Sequence, residues 1–132
     1  MTFRSLLILK AVVCLFFGAF LLAAPARLFG ILGTTLNAGG QFAAREYGAA
    51  LIGTLLLTWF AKEVKASDAR RAILLDLLVY DAIGVVITSV AAASGILSTL
   101  GWGIAVVYLF FAVMSGYLVS RPEKPMHPAP VK

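Results

Sequence analysis

Apolar residues run almost unbroken through four stretches of the chain, separated by short segments that hold most of its polar residues. The stretches cover residues 5–24, 43–61, 72–93 and 100–119. Each is close to the roughly 20 apolar residues that carry a helix across about 30 Å of hydrocarbon. The connections differ in character. Residues 25–41 contain Gly and Thr around an apolar run from Leu28 to Leu32, residues 62–71 are charged, and residues 94–99 are short and uncharged. No repeat or linker divides the chain. The pattern predicts an all-α, polytopic membrane protein: a four-transmembrane-helix bundle over residues 1–120, then a flexible Pro-rich tail over residues 121–132.

Composition changes the picture only by exclusion. Of 132 residues, 61% are hydrophobic and 13% charged, against about 45–50% and about 25% in an average soluble domain. A soluble domain of this size would expose large apolar patches, so the lipid bilayer is the expected partner. A lone Cys14 excludes an intrachain disulfide and a paired-thiol redox site. The single His127 lies in the tail, which leaves no membrane haem ligand and no zinc cluster. No cofactor or metal is therefore expected. The net charge of +5 could suggest nucleic acid, but the basic residues flank apolar segments instead of forming a polar face, so no nucleic acid is expected.

Their distribution sets an orientation. Arg4, Lys62, Lys65, Arg70, Arg71, Arg121, Lys124 and Lys132 fall on one side of a four-span chain, and only Arg27 and Arg45 on the other. Basic residues near span ends are retained in the cytoplasm, so both termini are expected there. Trp59, Phe60 and Tyr117 at inner ends, and Phe42, Tyr47 and Trp102 at outer ends, suit headgroup-level aromatic belts. A rival reading takes residues 1–26 as a secretory signal, with small residues at Ala24-Pro25-Ala26. Lys10 interrupts its apolar core early, and the segment is taken as a membrane helix.

Charges within the spans carry the most information, since each costs about 2.5–3.5 kcal/mol at the bilayer centre on insertion scales. On the third span Asp76, Tyr80, Asp81, Gly84 and Thr88 fall within an arc of about 140°, which predicts a polar inner face. On the second, Arg45, Glu46, Ala49 and Gly53 share an arc from which Tyr47 is turned away. Counted from the cytoplasmic side, Lys10 and Asp76 are level, so an ion pair between them is expected, with snorkelling of Lys10 to the interface as the alternative. Asp81 lies deeper, with Arg45 as its expected counter-ion and Glu46 or Tyr80 completing the network, or else with Arg45 and Glu46 as an interfacial pair at a helix end. The alternative there is a protonated carboxyl bonded to Tyr80, Tyr108 or Thr88. Ala49 and Gly53, Gly84, and Ala112 and Gly116 offer small surfaces for close helix packing.

Two motifs carry a resemblance: Ala24-Pro25-Ala26-Arg27-Leu28-Phe29-Gly30 at the end of the first span, and Arg45-Glu46-Tyr47-Gly48-Ala49-Ala50-Leu51-Ile52-Gly53 at the start of the second. The outline resembles the small bacterial four-helix membrane proteins grouped as DoxX-like. That resemblance implies a multi-pass protein of the bacterial inner (plasma) membrane, in a group some of whose members are linked to quinone-related respiratory complexes. The chain is also similar in size to small multidrug exporters. It departs from them because its first span holds Lys10 where they hold an essential glutamate.

No nucleophile and base stand at a recognisable spacing, so an enzyme is not expected. The expected function is that of a non-enzymatic accessory or assembly subunit, a homo-oligomer or part of a larger membrane complex. The alternative is a small binding or transport protein that takes a lipophilic or protonatable ligand through its intramembrane acids.

Overall fold

A computed structural model describes residues 1–65 and 67–121 and holds five α-helices: α1 (Phe3–Ala23), α2 (Pro25–Ile31), α3 (Ala38–Ala61), α4 (Ser67–Ala93) and α5 (Leu100–Ser120). No strand occurs among the described residues. The tail expected to be flexible lies, from residue 122 onward, outside them.

α1, α4 and α5 are long and apolar enough to cross a membrane. α3, at 24 residues, has the length but not the apolar character, because Gln41, Arg45 and Glu46 occupy its first turns. The first connection also departs from the loop expected of it. Pro25, with its fixed φ and missing N–H, suits the first helical position and starts α2 immediately after α1. Asn37 then caps α3 by accepting from the Gly40 N–H at 2.8 Å.

The helices pack as two pairs, α1 with α3 and α4 with α5. On α1 the buried residues are Phe3, Leu6, Leu7, Lys10, Ala11, Cys14, Gly18 and Leu21, a spacing of three and four that forms one seam. Where α1 meets α3, Gly18 faces Gly48: a Cβ on Gly48 would lie 3.0 Å from Leu21 Cβ and 3.1 Å from the Gly18 carbonyl oxygen. In the other pair, a Cβ on Gly84 would lie 2.6 Å from the ring of Tyr108. Small residues thus let both pairs close tightly.

The two pairs are joined at both ends. At one end Phe3, Leu6 and Leu7 of α1, Ala61 of α3, Leu74 and Leu77 of α4, and Phe111 of α5 form a solid apolar core. At the other, the Ser98 N–H donates to the Leu32 carbonyl at 2.6 Å, tying the α4–α5 turn to the end of α2. Gly33, with φ of 85°, is required there, because a Cβ would also lie 2.8 Å from Ser98 Cβ. Between these two fastenings the pairs enclose an open space that only side chains bridge.

The packing surfaces expected from sequence divide. Gly84 lies in the α4–α5 seam, Ala112 is buried, and Gly116 lies in ordinary contact with Leu78. Ala49 and Gly53 are exposed, with nothing within 4 Å of a Cβ on Gly53. The reason is that α3 turns Ala44, Gly48, Leu51 and Thr58 to the bundle, which carries the Arg45–Glu46–Ala49–Gly53 arc outward. Gly48→Val should therefore lower the stability of the detergent-solubilised protein by about 1–3 kcal/mol through overpacking, whereas Gly53→Ala should leave it unchanged or slightly raised. Equal unfolding midpoints for Gly48→Val and the wild type would show that the close α1–α3 approach is absent.

Candidate functional site

The space between the helix pairs is a cavity of about 590 Å³ lined by all five helices. Its walls are almost wholly apolar; Thr34 and Thr88 stand apart, and Lys10, Tyr47, Tyr80 and Tyr108 cluster toward one end. Lys10 projects there from the α1 seam and is buried. Its ammonium donates to Asp81 Oδ1 of α4, whose side chain is fully buried. The same ammonium lies 4.5 Å from the ring centroid of Phe111, 5.0 Å from that of Tyr80 and 5.9 Å from that of Tyr108, a cation held among aromatic faces. Asp81 Oδ2 is buried without a hydrogen-bond partner among the described residues.

Next to the ion pair, three phenols from three helices meet. The Tyr47 hydroxyl of α3 is hydrogen-bonded to those of Tyr80 on α4 and Tyr108 on α5, the latter at 2.6 Å. Tyr80 and Tyr108 pack edge to face with centroids 6.2 Å apart. Gly84 makes room for the Tyr108 ring, so one glycine fixes the position of a phenol carried by the neighbouring helix. Cys14 and Thr88, both buried, also line the cavity, and Ile83 and Ile87, 54% and 64% exposed, form part of its rim.

Several expected partnerships are corrected by this geometry. Lys10 does not pair with Asp76, nor does it snorkel. Asp76 is exposed and has no hydrogen bond or ion pair among the described residues. The residues that α4 buries are Leu74, Leu77, Asp81 and Thr88. Asp76 lies two residues from Leu74, about 200° around the helix, and so faces outward. Facing, not depth, decided the pairing: the long Lys10 side chain makes up the extra turn to Asp81.

Arg45 is likewise not the counter-ion of Asp81. With Glu46 it points outward, and it borders a shallow notch beside Arg27 and Gln41 at the α1–α2 corner. Tyr47, expected in an outer aromatic belt and away from the polar arc, instead joins Tyr80 and Tyr108. Its place was readable only from the α1–α3 glycine contact one residue further on, at Gly48, which turns that side of α3 toward the bundle.

Asp81→Asn should strand a buried ammonium and cost about 3–5 kcal/mol. The double variant Lys10→Met with Asp81→Leu should recover most of that loss, since apolar replacement of a whole buried pair is often neutral. Asp76→Asn should change stability by less than about 0.5 kcal/mol, as surface substitutions do. Unfolding in detergent measures all three, and a loss at Asp76 equal to that at Asp81 would contradict the pairing. Set beside known proteins, the chain matches no protein-family model, no curated protein and no solved structure.

Proposed function

We propose that this chain is an integral membrane protein that binds a lipophilic small molecule drawn sideways from the bilayer. The observation that carries the reading is the cavity itself. It is apolar, polar at one end, and of about 590 Å³, within the 300–1,000 Å³ range of sites for drug-sized ligands. Its rim at Ile83 and Ile87 belongs to a surface that is otherwise apolar and exposed, including Val79, Val86 and Val90 of the same helix, as a lipid-facing surface is. A molecule dissolved in the hydrocarbon needs no aqueous route to such an opening.

In the same proposal α3 crosses the membrane as a fourth span, packed along α1, with both termini cytoplasmic in a bacterial inner membrane, as the DoxX-like resemblance implies. Arg4, Lys62, Lys65 and Arg70 lie at the end of the bundle where Phe3, Ala61 and Leu74 meet. Lys62 stands over Trp59 at 3.7 Å and Arg121 over Tyr117 at 4.4 Å, which suits cations at a headgroup boundary. No catalytic role is assigned. A second reading, an accessory subunit of a membrane complex, draws on the outward-facing small residues Ala49 and Gly53, where a partner helix could approach closely.

A solvatochromic lipophilic dye added to the protein in lipid nanodiscs should show a saturable bound component. Ala91→Phe, which places a ring in the half-buried cavity wall, should weaken it about tenfold or more, about 1.4 kcal/mol. Dye binding indifferent to that substitution would remove the cavity reading. Reporters placed after Lys132 and between Lys62 and Arg71 should register cytoplasm, and one between Leu36 and Gly40 the opposite side. A tail and a 36–40 segment on the same side would mean that α3 does not span.

A further inference from the structure

Resting on the binding reading, we infer that the cavity selects a neutral lipophile whose polar end is a hydrogen-bond acceptor, such as a ketone or ester carbonyl, seated on the hydroxyls of Tyr47, Tyr80 and Tyr108. Charge balance comes first. Among the described residues Lys10 is the one charged side chain that lines the cavity, and its ion pair with the buried Asp81 sums to zero. A carboxylate head would add an uncompensated negative charge in a low-dielectric site, and an ammonium head would add a positive one beside Lys10. The aromatic faces that would otherwise hold a ligand cation, those of Tyr80, Tyr108 and Phe111, already hold the Lys10 ammonium. Both kinds of charged amphiphile are disfavoured on the same ground.

Polarity within the neutral class follows from what lies behind the phenols. A cation near the faces of Tyr80 and Tyr108 draws electron density from their rings and makes their O–H groups stronger donors. The Asp81 carboxylate, the strongest acceptor nearby, is buried out of reach: Oδ1 is taken by Lys10, and Oδ2 has no accessible surface. The two hydrogen bonds among the three phenols use two of their O–H groups, so the cluster presents one strengthened O–H donor to the ligand and no anionic acceptor. Lys10 and Asp81 act as positioning residues, through the tyrosines.

The test is competition against the dye in nanodiscs by three probes of one chain length: a long-chain methyl ketone, the corresponding primary amine and the corresponding carboxylate, at neutral pH. The ketone should displace the dye at concentrations at least tenfold lower than the other two. Tyr47→Phe with Tyr80→Phe and Tyr108→Phe, which removes every O–H of the cluster, should weaken the ketone severalfold while dye binding persists, and unchanged ketone affinity there overturns the seating on the phenols. Lys10→Met with Asp81→Leu should weaken the ketone severalfold at an unfolding midpoint close to that of the wild type. Equal displacement by all three probes overturns the inference and leaves the cavity reading standing. Ketone affinity unchanged in the Lys10–Asp81 double variant overturns the role given to the pair. Failure of the dye itself to respond to Ala91→Phe sinks the binding reading, and this inference with it.

Discussion

The buried pair between Lys10 and Asp81 is the constraint on which the arrangement of this protein turns. α1 and α4 belong to different helix pairs, and their backbones barely approach one another. The Lys10 side chain crosses that gap and meets a carboxylate whose side chain is fully buried. Taking two charges out of water costs several kcal/mol per ion, and a well-packed apolar pair would often stabilise as much. Stability alone is therefore a poor account of the pair. It does give the two helix pairs a single mutual register, because a shift by one turn would leave both charges buried and unpartnered. It also puts a cation among aromatic rings that border the cavity.

Tight packing within each pair and loose packing between them are two sides of one geometry. Gly18 against Gly48 brings α1 and α3 together, and Gly84 admits the ring of Tyr108 between α4 and α5. Helices held that closely to one neighbour cannot also fill the space toward the other pair along their whole length. Contact is restored where large side chains exist to make it: Phe3, Leu6, Leu7, Leu77 and Phe111 at one end, and the Leu32–Ser98 fastening at the other. The middle is left open and lined by Leu, Ile, Phe and Tyr side chains.

The sequence made the hydrophobic architecture readable because length and composition alone delimit a membrane helix. α1, α4 and α5 fall close to the stretches expected, although α4 begins five residues earlier, at Ser67. Lys10 and Asp81 were also conspicuous, as charges within apolar runs must be. What the sequence could not supply was rotation. A lipid-exposed helix is apolar on every side, so hydrophobic periodicity loses the contrast that orients a helix in water. Asp76 and Asp81, five residues apart, cannot be sorted into outer and inner by pattern, and the α3 arc bearing Arg45 and Glu46, whose charges suggest an inward face, faces out. Tyr47 reads from sequence as a belt residue for the same reason: a phenol near a span end is as much at home in an interfacial belt as in a cavity. The steric signal at Gly48 was present, but it becomes legible only once its partner, Gly18, is known.

The shape of the open space also favours binding over conduction. Below Lys10 the bundle is filled by Leu6, Leu7, Leu77 and Phe111, each of them buried to within a few per cent, and the buried polar side chains toward the charged end, Thr58 and Ser115, are separate hydroxyls, that of Thr58 donating to carbonyls of its own helix. A transported ion or proton would need a second polar stripe across that plug, since neither crosses packed hydrocarbon without one. The cavity stops against that packed core and opens where its lining residues Ile83, Ile87 and Ile96 are exposed. A molecule that enters from lipid, buries its head against the phenols and leaves by the way it came satisfies both features. A channel satisfies neither.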